Sequence, residues 1–320
     1  MTLVTNAFSS FSQVGAREDL SNEITMISPT DTPFLGMIRK TKAANRYHEW
    51  QTDALAAAAA NAQLEGDVIA AGASTATSRL YNTTQILYKA CGVTGSASAA
   101  DAAGRGREMI YQLLKRSKEL KRDMEYACFN NQNPVHTTHP SNPGGGTAST
   151  TVAAVFRPVN AWITTNDIRG DGGSDGNADD PATDGTQRDL TEALLKQAFR
   201  LAWSQGGEPD VLICGPVNKQ LISSFGGNAT RYIQASDRLK AAITYYEHDF
   251  GTVTCYPDRF SRDRDVWVLD KSMWAWATYR PIKTEDLGRT GDADQAYVIT
   301  EATLESKNQA ASAVIADCTT

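Results

Sequence analysis

At 320 residues the chain has length for about two domains and for a sizeable core. Its 41% apolar and 21% charged residues exclude a disordered, collagen-like or membrane-spanning chain, and its longest apolar run, residues 54–60, is far too short for a bilayer. A net charge of -6 has the wrong sign for a protein that grips nucleic acid tightly, so any DNA contact is expected to be weak and non-specific.

The opening residues carry neither a basic start nor an apolar run, so no signal peptide is expected and folding is placed in a cytoplasm. Residues 1–42 are polar with scattered aromatics. Their apolar positions (Ile24, Met26, Ile27, Phe34, Leu35, Met37, Ile38) are too few for a core of their own, which predicts an extended arm with a short helix at 18–27 stopped by Pro29. Such an arm needs another surface to lie on.

Strand-like stretches at 47–52 and 79–96 bracket an alanine-rich segment, 53–78, which predicts a long hairpin with a flexible tip. A ribbon with so little bulk must pack on another domain or another chain. From Asp101 to Asn131 the period changes to helical. Ile110, Leu113, Leu114, Leu120, Met124 and Ala127 form a stripe, Asp101 is the expected N-cap, and the NNQNP run stops the helix. The expected length is about 45 Å.

Loop compositions at 134–150 and 169–185 frame a domain boundary. Beyond it, Thr186 and Asp189 resemble a capping pair for a helix to Ser204, VLICG at 211–215 is a buried strand, and Pro216 opens a helix to about Phe225. Residues 241–256 add strand character and complete a compact α/β-type unit. The strands expected at 266–269, 273–279 and 296–306 should form a sheet against the long helix. The domain carrying that sheet is then discontinuous, with the α/β unit inserted. No internal repeat is present.

Motifs for chemistry are sparse. There is no phosphate-binding Walker loop, no G-x-G-x-x-G after a strand and no G-x-S-x-G, and four histidines leave few candidates for a general base. Five widely spaced cysteines without a C-x-x-C pair point to reduced, mostly buried thiols. Cys128, His136 and His139 offer three zinc-type ligands but no fourth, so a solvated loop is the expected reading. Asp175, Asn177 and Asp179 match the first calcium ligands of an EF-hand, yet Asp180 stands where glycine is needed and Thr186 where glutamate is needed. Catalytic, cofactor and metal residues are accordingly all assigned as none.

The basic set Arg105, Arg107, Lys115, Arg116, Lys118, Lys121 and Arg122 on the long helix has a solvated face as its default and contact with a neighbouring subunit or DNA as its functional option. Trp267, Trp274 and Trp276 are expected in the core rather than in a platform for stacking bases.

Several stretches resemble one family: GAREDLSNEI at 15–24, ISPTDTPF at 27–34, HEWQTD at 48–53, EGD at 65–67, KELKRDMEY at 118–126, and ICGPVNKQLISSF at 213–225. They are similar to major capsid proteins of tailed bacteriophages, clearest over residues 15–130. The resemblance implies an α+β, Hong Kong 97-like capsid fold: N-terminal arm 1–42, extended β-hairpin loop 43–98, peripheral domain 99–185 and 257–320 with a long spine helix at 101–131, and axial domain 186–256. It implies chains that self-assemble into hexamers and pentamers of an icosahedral shell around double-stranded DNA.

Portal, scaffolding and decoration proteins are the further expected partners, and no membrane is. Because the arm motif begins at Gly15, scaffolding is expected as a separate protein or not at all. Crosslinking through Lys89 has no identified partner. Arg17, Glu18, Asp19, Glu65, Asp67, Lys121 and Arg122 are the expected subunit-interface residues, with solvated charge as the alternative. An encapsulin-like nanocompartment shell and a cytoplasmic hydrolase are the rival readings.

Overall fold

The computed structural model describes residues 27–67, 72, 74–100, 106–136, 148–149, 151–177, 180–225, 245–289 and 291–320. In chain order the elements are α1 (Pro33–Met37), β1 (Arg39–Lys42), β2 (Tyr47–Thr52), β3 (Ser78–Thr83), β4 (Gln85–Thr94), α2 (Gly95–Ala99), α3 (Glu108–Phe129), α4 (Val159–Trp162), β5 (Asp167–Ile168), α5 (Glu192–Ser204), β6 (Val211–Cys214), α6 (Pro216–Ser224), β7 (Tyr245–His248), β8 (Gly251–Pro257), β9 (Val266–Leu269), β10 (Trp274–Leu287), β11 (Ala293–Ser306) and β12 (Ala313–Ile315). Among the described residues the strands make three sheets, ordered β1-β10-β11-β4, β5-β12-β9-β6-β8-β7 and β2-β3.

The sequence predicts one strand over 79–96, and the chain splits it. Thr84 separates β3, paired antiparallel with β2, from β4, paired antiparallel with β11. The break is held from both sides. The Thr84 main-chain N–H donates to the Arg46 carbonyl at 2.8 Å and its hydroxyl donates to Glu301 at 2.7 Å. Asn82, fully buried, donates to the Leu304 carbonyl and accepts from the Arg157 N–H. One polypeptide thus leaves the hairpin and enters the four-stranded sheet without a loop.

The long helix covers Glu108–Phe129, 22 residues and about 33 Å. The expected cap at Asp101 lies outside the described residues, and Arg107 occupies the N-cap without a side-chain hydrogen bond. Of the expected stripe, Leu120, Met124 and Ala127 are buried, whereas Ile110 and Leu114 are 52% and 62% exposed. The helix packs on β4 and β11, so its burial face follows that sheet and leaves Ile110 and Leu114 turned away.

The expectation that 266–269 joins the sheet against the long helix is corrected: β9 lies between β12 and β6 in the six-stranded sheet. The reason is burial. VWVL has no polar position and requires cover on both faces, as VLIC in β6 does. Alternate residues supply two cores. Val211, Ile213, Trp267 and Leu269 pack with Phe129 and Trp274 on one face, while Leu212, Cys214, Val266 and Val268 pack with Leu195 and Phe199 of α5 on the other. The four-stranded sheet cannot offer this, because its face away from α3 leaves Ile86 and Tyr88 exposed.

The second helix begins later than the sequence predicts. Thr191, not Thr186, caps it by accepting from Leu194 N–H. Residues 186–188 serve the sheet instead: Thr186 N–H donates to Asp171, and Arg188 N–H donates to Asp317. All five cysteines are free and buried, as are Trp267, Trp274 and Trp276. No helix among the described residues is long and apolar enough to cross a membrane.

Candidate assembly surface

Two polar clasps fix the segments that cannot form cores of their own. The first holds the arm. Pro33 starts α1, and both carboxyl oxygens of Glu125, fully buried on α3, accept its first free N–H groups, Phe34 at 2.7 Å and Leu35 at 2.9 Å. Phe34 fills the space below, 4.8 Å from Phe129 and 6.4 Å from Trp274 between ring centres. Burial pushes the Glu125 carboxyl up to about 8; the two N–H bonds pull it down, and nearby Asp258 pushes it further up. β1 then pairs in parallel with β10, completing the arm's attachment.

The second clasp holds the root of the hairpin. Glu305 lies 3.4 Å from His48 Nε2 and accepts from Thr41, and the His48 contact holds its carboxyl below the usual range despite burial. Trp50 donates its indole N–H to the Ser306 carbonyl at 2.9 Å and packs 5.6 Å from Trp162. Glu301, 2% exposed, accepts from Thr84 and from Arg280 at 2.7 Å. Beyond Thr52 this support ends. Every residue from 53 to 67 is exposed, with Leu55 at 98% and Leu64 at 81%.

The acidic stretch after β5 is anchored by arginines. Arg262 donates to Asp184 at 2.6 Å, Arg264 bridges Asp184 and Asp317, and Arg169 pairs with Asp167. Burial raises Asp265 and Asp167 to about 6, while the Arg262 and Arg264 contacts outweigh burial at Asp184 and lower it. Asp317 adopts φ 61° to receive Gly170 N–H at 3.1 Å. Asn177 spends its side chain on a turn with Asp180, and Asp179 lies outside the described residues.

His136, expected in a solvated loop, is corrected: it is 2% exposed, 3.0 Å from Thr83 Oγ1, with its ring edge-on to Tyr81. The strand-to-strand crossing at Thr84 creates that niche, which no local pattern signals. His139 lies outside the described residues, and among those described no group of three or more His, Cys, Asp or Glu is arranged to hold a metal ion.

Of the expected interface residues, Arg17, Glu18 and Asp19 lie outside the described residues. Glu65 and Asp67 stand on the exposed hairpin tip, in a turn closed by Asp67 N–H to the Leu64 carbonyl, with Gly66 at φ 83°. Lys121 is exposed on α3. Arg122 is half-buried with its guanidinium 5.1 Å over the Phe260 ring, a contact inside the subunit. The tip and the helix residues are not brought together within one chain.

The described residues thus comprise an anchored arm segment, a hairpin with an exposed tip, a helix-backed sheet and a six-stranded sheet buried on both faces. Solved structures share this architecture along almost the whole chain. The capsid of a native GTA particle has a TM-score of 0.63 at 11% identity, covering 97% of this chain and 98% of that chain. A chain from Microbacterium phage Oxtober96 has 0.61 at 12%, covering 94% and 95%. The Cyanophage A-1(L) capsid asymmetric unit has 0.59 at 13%, covering 99% and 100%. The fold is therefore the Hong Kong 97-type capsid fold.

The sequence profile of the SU10 major capsid protein family matches residues 3–319, and the major capsid protein of Escherichia phage Phieco32 is 25% identical over 96% of both chains. The chain belongs to the SU10 major capsid protein family and is a structural component of the virion of a tailed bacteriophage.

Proposed function

We propose that this subunit assembles with copies of itself into hexamers and pentamers that close as an icosahedral head around double-stranded DNA, in the cytoplasm of the bacterial host. Its work is assembly, without chemistry of its own. In this reading residues 1–42 are the arm, 43–98 the extended loop, 99–185 with 257–320 the peripheral domain and 186–256 the axial domain, whose sheet is completed by β5, β9 and β12 from the flanking segments. Portal, scaffolding and decoration proteins are the further partners. Packaged DNA is touched weakly, consistent with the net charge of -6. Family membership favours this reading over a cargo-carrying nanocompartment or a hydrolase.

The observation that carries it is the hairpin beyond Thr52, whose leucines are almost fully exposed in the isolated subunit although the hairpin's root is tightly clasped. An element so anchored and so uncovered is built to be buried by another chain. Light scattering with negative-stain imaging across a concentration series tests the proposal. Rings or closed shells are expected, and a compact monomer or dimer under all conditions, including co-expression with scaffolding protein, overturns it.

A further inference from the structure

We propose that His248 is a proton-operated latch: protonation of its Nδ1 takes away the acceptor that closes the β7–β8 turn and frees Phe250 from the ring of Trp203. The device lies inside one subunit and stands independently of the assembly reading above.

Strand β7 ends at His248 and β8 begins at Gly251, so Asp249 and Phe250 alone form the turn. The Phe250 main-chain N–H donates to His248 Nδ1 at 3.2 Å, which requires that nitrogen to carry no proton. Neutral His248 then holds its proton on Nε2, an atom shielded from water and without a partner among the described residues. The imidazole lies flat on Phe199 of α5, with 3.9 Å between ring centres and 9° between planes, and Phe250 stacks on Trp203 at 5.0 Å. The two turn residues also wall a cavity of about 420 Å³ with Ala193, Lys196, Gln197 and Arg200 of α5.

A proton added at Nδ1 sets two N–H groups against each other and leaves the Nε2 N–H of a charged ring without an acceptor. The surrounding groups fix the direction of the response. Burial lowers His248 below its ordinary value and outweighs the pull of Asp249 toward the charged form. Glu192 of α5 is engaged by Lys196 and by the Tyr246 hydroxyl, and Arg200 on the same helix carries a like charge. Glu247 alternates to the opposite face of β7, and β8 presents Gly251, Val253 and Cys255 on the side toward α5. The turn is therefore closed at neutral pH and opens in acid, and one wall of the cavity moves with it.

The unassembled full-length subunit tests this between pH 8 and 5. Ring NMR signals identify His248 by their loss in His248→Asn and in His248→Phe, and Trp203 emission is isolated as the difference from Trp203→Phe. His248 should titrate below 6.5, Trp203 emission should change with the same midpoint, and exchange of the Phe250 N–H, corrected for its intrinsic pH dependence, should quicken about tenfold through it. His248→Asn places a non-titrating acceptor oxygen where Nδ1 stood and should keep the turn closed throughout. His248→Phe keeps a stacked ring without the acceptor and should leave it open throughout. Titration of His248 with no change at Trp203 or Phe250 overturns the latch. An unchanged transition in His248→Asn also overturns it, by assigning the opening to an acid such as Asp249.

Discussion

The Glu125 carboxyl group accepts the main-chain N–H of Phe34 at 2.7 Å although 91 residues separate them. This bond and its twin from Leu35 tie the start of the arm's short helix to the buried face of the long helix, so a single acidic side chain connects two segments distant in sequence. The arm lacks a core, and the helix supplies one only if the arm's first free N–H groups are satisfied.

Glu125 titrates near 8 in the fold against 4.5 ordinarily. Between those values the unfolded chain has lost a proton that the folded chain retains, so this group's stability contribution is complete below about pH 4.5 and declines until about pH 8, by on the order of 5 kcal/mol. Asp265 and Asp167, near 6, act in the same direction between about pH 4 and 6, and Asp184 and Glu305, both lowered, oppose them at more acid pH. Melting temperatures of the unassembled subunit should fall from pH 6 to 8, and Glu125→Gln should flatten that slope. An equally steep slope in the variant would assign it to other groups.

Phe34→Ala should destabilise the subunit by about 3–5 kcal/mol, because the ring is 1% exposed among Phe129 and Trp274 and nothing adjacent can fill the space. Chemical denaturation measures this, and faster proteolysis of residues 27–42 should accompany it. A change below about 1 kcal/mol would mean that the arm is held elsewhere.

Glu301→Ala removes the acceptor for both the Thr84 hydroxyl and Arg280. A cost of roughly 1–3 kcal/mol is expected from the partners left behind. Hydrogen exchange should quicken across β2 and β3 and leave β6 and β9 protected.

Leu55→Ser with Leu64→Ser should leave subunit stability within about 0.5 kcal/mol, since neither side chain is covered. Particle yield should drop. Unchanged assembly would show that the hairpin tip is not an interface.

Gly207→Ala would place a methyl group against the Ala311 carbonyl and within 2.5 Å of Ala311 Cα, a backbone contact that cannot yield. A loss of about 1–3 kcal/mol is expected, read as a lower melting temperature.

The sequence by itself determined the elements with strong local signals. VLIC is a continuous apolar run, Pro216 sits at the first turn of its helix, Tyr47–Thr52 is a short β-rich run, and the alanine-rich stretch from 53 has too little bulk to build a core of its own. Motif resemblance also reached the capsid family, because its signature words lie in the arm, hairpin and helix.

Tertiary structure alone decided which partners those elements take. Whether VWVL at 266–269 joins one sheet or the other depends on which has cover for both faces, a property of layers distant in sequence. The split at Thr84, the burial of His136 and the seat of Glu125 arise from hydrogen bonds spanning between 53 and 217 residues. A hydrophobic period reports that a face must be buried and carries no record of what will cover it, which is why the clasps became visible only when the chain was folded.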